Sequence, residues 1–151
     1  MTIFCDTNIV MEYLQQRQHA AQVEQILNHA AQAGDLLIIS VGSFYTITYL
    51  TERYLKADQS LSKQDRTSLR YILNGVLSTF KMADIFVGCI SEGVNDLQFD
   101  DLEDSYQAHI AASFGCDVLL TINERHFTRF ASNSNVIVMT PQAFITTYMA
   151  E

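Results

Sequence analysis

The chain alternates short apolar segments with longer segments of helical periodicity, and this alternation constrains its fold more than any other feature. Residues 36–39 are apolar at every position, as expected for a strand buried on both faces of a parallel sheet. Residues 2–5 form a similar short apolar segment. Strands separated by helices imply a parallel sheet with helices on both faces. The sequence therefore predicts an α/β fold, a three-layer α/β/α sandwich around a central parallel sheet of four to five strands.

The remaining elements follow from the same patterns. Apolar residues recur at helical spacing from Ile9 to Leu14, and Gly34 and Gly115 stand where they would end helices. We predict further helices over residues 20–33, 40–55, 61–80, 90–97, 101–114 and 124–130, and a last one from Pro141 onward. We predict further strands over residues 84–87, 117–121 and 136–139.

Composition places the chain among single-domain globular proteins. Hydrophobic residues make up 48% and charged residues 17% of the 151 residues, so the chain can bury a core. It has one proline and no low-complexity tract, and we predict a single domain over residues 1–151. No apolar run approaches the ~18 residues of a membrane span, and the N-terminus lacks the basic flank of a signal peptide. We therefore expect a soluble, cytoplasmic protein with no membrane partner.

Three cysteines, Cys5, Cys89 and Cys116, cannot all pair within one chain. Their spacing matches no zinc site, and Cys5 and Cys89 have apolar neighbours. We therefore predict buried free thiols in a reducing compartment.

Charge is distributed unevenly along the chain. The net charge of −8 counts against a protein that holds nucleic acid by charge alone. Acidic residues cluster in one stretch and basic residues in another: Asp96, Asp100, Asp101, Glu103 and Asp104, and Arg53, Lys56, Lys63, Arg66 and Arg70. Either cluster can be a solvated face, but a polyanion-binding protein with an acidic metal site would carry both.

Acidic residues also stand where a parallel sheet binds its ligands, beyond the carboxyl ends of the strands. Asp6 follows the first strand, where it is either a helix N-cap or a metal ligand. Asp101, Glu103 and Asp104 open a helix and could serve as its cap and as partners of its dipole. However, the four carboxylates between Asp100 and Asp104 repel one another unless solvent or a cation intervenes. Mg²⁺ and Mn²⁺ prefer such oxygen ligands.

The segment after the predicted strand 117–121 carries further candidates. Asn123 is an N-cap, a neutral ligand or a group that orients water. Arg125 could reach a phosphate, although a lone surface arginine often has no specific partner. We interpret His126 as a partly buried structural histidine.

These segments, in their order and spacing, resemble the PIN-domain family. The matching motifs are Cys5-Asp6-Thr7-Asn8-Ile9, then Glu103-Asp104-Ser105 at the start of a late helix, then Leu120-Thr121-Ile122-Asn123 with His126-Phe127. The resemblance spans nearly the whole chain. It implies a parallel α/β/α sheet, a cluster of acids that binds Mg²⁺ or Mn²⁺, and endoribonuclease activity. The family includes the VapC-type toxins of bacterial toxin–antitoxin pairs, so the resemblance also implies an RNA substrate, an antitoxin protein and a homodimer.

Carried over residue by residue, the resemblance makes Asp6 and Asp104 the first and third acids and places Asn123 where many members have Asp. Asp6 and Asp104 would hold one metal ion, which generates a nucleophile from water and screens the phosphate charge. Asp101, Glu103 or Asn123 would complete the metal's shell or orient the attacking water.

One position departs from the family's pattern. Members usually place a second acid, Glu, in the helix after the second strand, and Thr46 stands at or near that position. Glu52 lies six residues later and is turned away from the Thr46 face of the helix. Glu12, in the first helix, is a weak substitute.

Substrate contacts are predicted on basic and aromatic side chains. Arg53 and Lys56, within a basic region over residues 53–70, and Arg125 are the candidates for contact with the RNA backbone. The aromatic residues Phe44, Tyr45 and Tyr49 either stack on bases or form a core stripe at helical spacing.

Two other classes of function compete with a nuclease. The first is a PIN domain without catalytic activity that binds RNA or a protein, which the departure at Thr46 favours. The second is a phosphatase of the haloacid dehalogenase type, which needs an acid two residues after Asp6, where Asn8 stands. A nucleotide-binding enzyme fits less well, because no Gly-rich phosphate loop follows any predicted strand.

Overall fold

The computed structural model describes residues 1–56 and 60–150, and within them five strands form one parallel sheet. The strands are β1 (Thr2–Cys5), β2 (Leu36–Ser40), β3 (Lys81–Ala83), β4 (Val118–Leu120) and β5 (Ile137–Met139). Their order across the sheet is β3-β2-β1-β4-β5, and every neighbouring pair is parallel. The chain builds outward from β1 to β3 and then returns to add β4 beside β1. The strand order therefore reverses between β1 and β4, where such sheets bind ligands beyond their carboxyl ends.

Helices connect the strands. The described residues form α1 (Thr7–Leu14), α2 (Ala20–Ala33), α3 (Val41–Lys56), α4 (Lys63–Thr79), α5 (Val87–Asn95), α6 (Leu102–Ser113), α7 (Thr128–Asn133) and α8 (Pro141–Phe144). A 3₁₀ turn over Glu124–Phe127 precedes α7, and a π-helical turn over Ile145–Met149 follows α8. Gly34 ends α2 as predicted, with a left-handed φ of 74° that favours glycine.

Two apolar cores lie on opposite faces of the sheet. Ile3 and Cys5 of β1 pack into one core with side chains of α1, α2, α3, α4 and α8. Phe4, between them in the chain, packs into the other core with side chains of α5, α6 and α7. Side chains of the central strand therefore pack alternately against the two helical layers, because successive side chains of a strand point to opposite faces of the sheet. The predicted three-layer α/β/α sandwich with a parallel sheet is confirmed.

The predicted strand over residues 84–87 is wrong, because the strand lies earlier, at Lys81–Ala83. Helix α4 ends at Thr79, and Phe80 is already extended and buried, so the chain enters the sheet at once. Ala83, also buried, pairs with Ser40 of β2. The apolar residues Ile85, Phe86 and Val87 are exposed beyond the carboxyl end of β3.

Other predictions are tested by burial. Cys5, Cys89 and Cys116 are buried free thiols, as predicted. None of the helices over the described ranges is long and apolar enough to cross a membrane. The predicted basic region over residues 53–70 includes residues 57–59, which lie outside the described residues, as does residue 151 of the predicted single domain.

Candidate active site

A cleft of about 190 Å³ opens at the carboxyl end of β1, where α1, α3 and α6 approach one another. Four acidic residues that the sequence singled out line it together: Asp6, Asp101, Glu103 and Asp104. We call it the acid cleft. Asp6 comes directly after β1, whereas the other three stand at the start of α6, nearly one hundred residues later in the chain. The topology therefore brings together acids that no local motif joins.

Asp6 is held by neutral donors. It occupies the N-cap position of α1, but its side chain makes no capping bond, so the cap alternative is wrong. Instead its Oδ2 accepts hydrogen bonds from Asn8 Nδ2 (2.8 Å) and Thr121 Oγ1 (2.8 Å). Its backbone N–H donates to the carbonyl of Leu120 at the end of β4 (3.0 Å). These bonds hold Asp6 between the ends of β1 and β4, where the strand order reverses.

The environment of Asp6 favours its protonated form or a bound cation. Burial raises the pKa of Asp6 to about 7, because a carboxylate loses hydration in the interior. The hydrogen bond from Thr121 opposes this shift, and the negative charges of Asp104 and Glu103 add to it. A divalent cation in the acid cleft would relieve both the burial and the repulsion.

The acidic residues at the start of α6 line the acid cleft, and one of them also caps the helix. Asp101 caps the helix as predicted, because its Oδ1 accepts from the backbone N–H groups of Glu103 (2.8 Å) and Asp104 (3.3 Å). Asp104 Oδ2 lies 2.7 Å from His126 Nδ1. Burial raises the pKa of Asp104 and the charge of Asp101 adds to this, whereas the interaction with His126 lowers it. The predicted partly buried structural role of His126 is wrong, because its side chain is 55% exposed and contacts a site acid.

A buried polar network holds Glu103. Thr7 Oγ1 donates to Glu103 Oε1 (2.9 Å), and Gln107 Nε2 donates to Thr7 Oγ1 (2.9 Å). Ser43, in α3, lies 3.0 Å from Thr7 through its Oγ and also contacts Gln107. Thr46 lines the acid cleft one helical turn after Ser43. Where the resemblance places a second acid, this chain therefore has neutral side chains, and a glutamate from α6 reaches the same cleft.

Four predicted site residues lie away from the lining of the acid cleft. Asn123 is exposed, and its side chain makes no capping bond at the start of the 3₁₀ turn, so its cap alternative is wrong. Arg125 is exposed in the same turn. Arg53 and Lys56 stand in the last turn of α3, and Lys56 Nζ lies 3.6 Å from Glu52 Oε1. The described lining residues include none of Asn123, Arg125, Arg53 or Lys56.

The structure also decides between the alternatives for Glu12 and for the three aromatic candidates on α3. Glu12 is buried and accepts from the backbone N–H of His19 (2.8 Å), so it stabilises the α1–α2 connection rather than replacing the second acid. Tyr45 and Tyr49 are 73% and 61% exposed, so the core-stripe interpretation is wrong for both. Phe44 packs against the core, as that interpretation holds.

Sequence reasoning missed several residues that line the acid cleft or hold its acids in place. Arg17 lines it from the connection after α1, and no motif marked it. Asn8 and Thr121 lie in the motifs that carry the resemblance, but their hydrogen bonds to Asp6 were not predicted. Gln107 gave no signal, because its contact with Thr7 joins residues 100 positions apart.

The acids fit a water-rich metal site better than a closed one. No group of three or more His, Cys, Asp or Glu side chains in the described part of the chain is arranged to hold a metal ion. Asp101 is engaged in capping, Asp104 contacts His126, and Glu103 contacts Thr7. Mg²⁺ usually keeps several waters and uses one or two carboxylates together with substrate phosphates. The oxygen donors of the acid cleft suit such binding.

The parallel sheet with strand order β3-β2-β1-β4-β5 and acids at the carboxyl end of its central strand is a PIN-like fold. Among solved structures, the chain is similar to one in the crystal structure of VapBC2 from Rickettsia felis bound to a DNA fragment from their promoter. The TM-score is 0.69 at 20% sequence identity, over 93% of this chain and 98% of that chain. No family profile and no curated protein sequence matches the chain. At this identity, the likeness shows the shared fold.

Proposed function

We propose that this chain is a metal-dependent endoribonuclease that hydrolyses RNA phosphodiester bonds as the toxin of a toxin–antitoxin pair. One observation carries the proposal. Asp6, Glu103 and Asp104 line one cleft at the point where the strand order of a PIN-like sheet reverses. Burial raises the pKa values of Asp6 and Asp104, and carboxylates with raised pKa values that lie together in a cleft are candidates for a functional site.

In this proposal Asp6 and Asp104 hold Mg²⁺ or Mn²⁺, directly or through water. When bound, the cation supplies a nucleophile from water at neutral pH and screens the charge that develops on the phosphate. Asn8 and Thr121 fix the orientation of Asp6, and His126 fixes that of Asp104. Asp101, Glu103 or Asn123 completes the cation's shell or orients the attacking water.

Substrate contacts are proposed on two surfaces. Arg17, at the acid cleft, is the cation best placed to meet a phosphate. Arg53, Lys56 and Arg125 stay candidates for contact with the RNA backbone farther from the acid cleft. Tyr45 and Tyr49 are exposed on α3 beside Thr46 and could stack on bases of a single strand.

The proposed partner is an antitoxin protein that masks the acid cleft. The resemblance to VapC-type toxins and the structural likeness to VapBC2 both support it. The same resemblance supports a homodimer, and a toxin that cuts cellular RNA would act in the cytoplasm.

The test is a cleavage assay on a mixed pool of structured and single-stranded RNAs with Mg²⁺, Mn²⁺ or EDTA. Asp6→Asn and Asp104→Asn remove one charge each at nearly constant shape, and Glu124→Gln is the matched control at an exposed acid outside the acid cleft. We expect metal-dependent cleavage that both site variants abolish and the control retains. Cleavage that persists in both site variants would place the activity elsewhere.

A second candidate function is a non-catalytic PIN-like module that binds RNA or a protein. Thr46 in place of the second acid favours it, as does the lack of a three-ligand group among the described residues. Titration with Mn²⁺ separates the two candidates. The nuclease should bind Mn²⁺ through Asp6 and Asp104, whereas the module should show no difference between the native protein and the two variants.

A further inference from the structure

A second cavity, of about 250 Å³, adjoins the acid cleft. We call it the side pocket. Thr46 and Glu103 line both cavities, so these two side chains form a shared wall. The rest of the side pocket comes from the end of β2 and the start of α3, from α5 and the loop before it, and from one face of α6. A group that enters the side pocket would therefore sit next to whatever occupies the acid cleft.

The side pocket has an aromatic wall that is fixed in place. Tyr106 lines it, and a Cβ on Gly93 would come within 2.6 Å of the Tyr106 ring. Helices α5 and α6 thus pack so closely that only a glycine leaves room for this ring. Ser105 Oγ donates to the carbonyl of Gly93 (2.9 Å) and locks the same contact. The wall exists before any ligand binds, which lowers the entropic cost of binding.

Apolar side chains also line the side pocket, and one of them belongs to an exposed apolar segment. Ile85 and Ile90 line the side pocket, and Ile85 is 36% exposed. Phe86 and Val87 follow at 60% and 85% exposure. Contiguous exposed apolar side chains beside a cavity mark a surface that binds a partner or ligand.

The side pocket also has polar groups, of which Thr46 and Glu103 lie on the wall that it shares with the acid cleft. Ser40, Ser43 and Gln107 also line the side pocket and hydrogen-bond to one another. Glu103 is the one charged side chain among the described residues that line it, and a carboxylate only accepts hydrogen bonds. Flat apolar and aromatic surfaces with a hydrogen-bond acceptor at one edge suit a heteroaromatic ring that carries an amino group.

We propose that the side pocket binds a nucleobase with an exocyclic amino group, such as adenine or cytosine. This inference rests on the proposed function, because the base belongs to a nucleotide whose phosphate lies in the acid cleft. The base packs against Tyr106 and Ile85, and its amino group donates to Glu103. The side pocket thereby selects which nucleotide lies beside the scissile bond.

The test is an NMR titration of the native protein with AMP, CMP, UMP and ribose 5-phosphate in Mg²⁺, because a bound cation offsets the repulsion between the acid cleft and the phosphate. Gly42 offers the pocket-filling variant, because it lines the side pocket and its Cβ would lie in ordinary contact with Ile85 Cδ1 (3.5 Å) and Ser40 Oγ (3.7 Å). We expect a leucine at this position to occupy space in the side pocket. Gly88 offers the matched control. Each glycine is the second residue of a helix after a valine, and a Cβ on Gly88 meets nothing within 4 Å.

We expect AMP and CMP to shift the amide signals of Gly42, Tyr106 and Gln107 and to bind at least about fivefold more tightly than ribose 5-phosphate. UMP should bind less tightly, since uracil lacks the amino group. Gly42→Leu should remove the gain over ribose 5-phosphate, and Gly88→Leu should keep it. The side-pocket proposal would be overturned if AMP and ribose 5-phosphate bound the native protein equally tightly. It would also be overturned if Gly42→Leu kept the preference for AMP over ribose 5-phosphate. Equal affinity for UMP and AMP would overturn its amino-group preference.

The two proposals fail in different ways. If AMP binds the side pocket but the protein cuts no RNA, the nuclease is wrong and base recognition stands. If the protein cuts RNA but AMP leaves Gly42 and Tyr106 unmoved, base recognition is wrong and the nuclease stands.

Discussion

Asp6 combines deep burial with two neutral hydrogen-bond donors, Asn8 and Thr121. Its pKa is about 7 in the folded protein, against about 3.9 for an aspartate in an unfolded chain. Between these values the metal-free native state holds a proton that the unfolded state has lost. The native state is therefore favoured at the acidic end of this window, and its stability falls as pH rises.

We predict that the metal-free protein loses stability between pH 5 and pH 7 by up to about 1.4 kcal/mol per pH unit through Asp6. Asp6→Asn removes the titrating group and should flatten this loss, so the variant should be more stable than the native protein at pH 7.5. Urea unfolding in EDTA at several pH values measures both. Parallel pH profiles for the two proteins would contradict the prediction. Mg²⁺ should stabilise the native protein at pH 7.5 more than the variant.

Thr46 and Glu103 line the same cleft, and only Glu103 carries charge. We predict that Glu103→Gln weakens Mn²⁺ binding by about tenfold or more, as losses of metal-site groups do. Adding Thr46→Glu should restore most of the affinity, because a carboxylate then returns to the acid cleft from α3. Electron paramagnetic resonance of free Mn²⁺ measures the binding.

Thr48→Glu in the Glu103→Gln background is the control for this rescue. Thr48 is on the same helix, and its Oγ1 donates to the carbonyl of Phe44 (2.8 Å) rather than lining the acid cleft. An equal rescue by Thr48→Glu would show that net charge, not position, determines Mn²⁺ affinity. Unchanged Mn²⁺ affinity in Glu103→Gln would show that Glu103 is not a ligand.

The meeting of Asp6 with Asp104 could be predicted from the sequence. Asp6 follows a parallel strand, and a helix that leads into a parallel strand, as α6 leads into β4, starts at the same edge of the sheet. The neutral groups that orient these acids could not be predicted. Asn8, Thr121 and Gln107 carry no charge, and their partners lie up to 115 positions away in the chain. Contacts of this kind follow from the packing of the sheet and leave no periodic pattern.

Among the secondary-structure elements, α5 and α6 form the tightest contact that bears on the site. Gly93 of α5 faces the ring of Tyr106 of α6 with no room for a methyl group. Ser105, beside Tyr106, donates to the Gly93 carbonyl. The position of the aromatic wall of the side pocket depends on this contact.

We predict that Gly93→Ala destabilises the protein by about 1–3 kcal/mol, the usual cost of forcing extra volume into a packed contact. Gly88→Ala, in the same helix, meets open space and should be neutral or stabilising by up to about 1 kcal/mol, because alanine favours helix. Urea unfolding of the two variants gives the difference. If both variants were equally stable, the α5–α6 contact would have to be looser than this structure shows.

The elements themselves differ in how well the sequence predicts them. Residues 36–39 are apolar throughout, and they form β2 as predicted. β3 has three residues, Lys81–Ala83, of which only Ala83 is buried, so its pattern is too short to identify. The stronger apolar pattern over residues 84–87 predicts a strand, yet these residues form an exposed segment whose Ile85 lines the side pocket. The prediction of strands from apolar patterns therefore failed at a segment where the surface carries a candidate binding site.

The whole molecule carries a net charge of −8, with nine Lys and Arg residues against seventeen Asp and Glu. Such a surface repels RNA over long range, so attraction must come from a few local contacts and from a bound cation. Arg17 is the one cationic side chain among the described residues that line the acid cleft. It hydrogen-bonds to the neutral Gln15 (2.9 Å from its Nε), so this contact leaves its charge available to a phosphate.

We predict that single-stranded RNA binds the metal-free Asp6→Asn protein with a shallow salt dependence. Each phosphate contact with a single strand contributes a slope of about −0.7 in log K against log salt, so one or two contacts give no more than about −1.5. Arg17→Ala should reduce the slope by about 0.7, whereas Arg129→Ala, at an exposed position on α7, should leave it unchanged. Fluorescence anisotropy of a labelled RNA across a range of salt concentrations measures this. A slope of about −3 or steeper would instead require an extended basic surface, for which Arg53, Lys56 and the rest of residues 53–70 would be the first candidates.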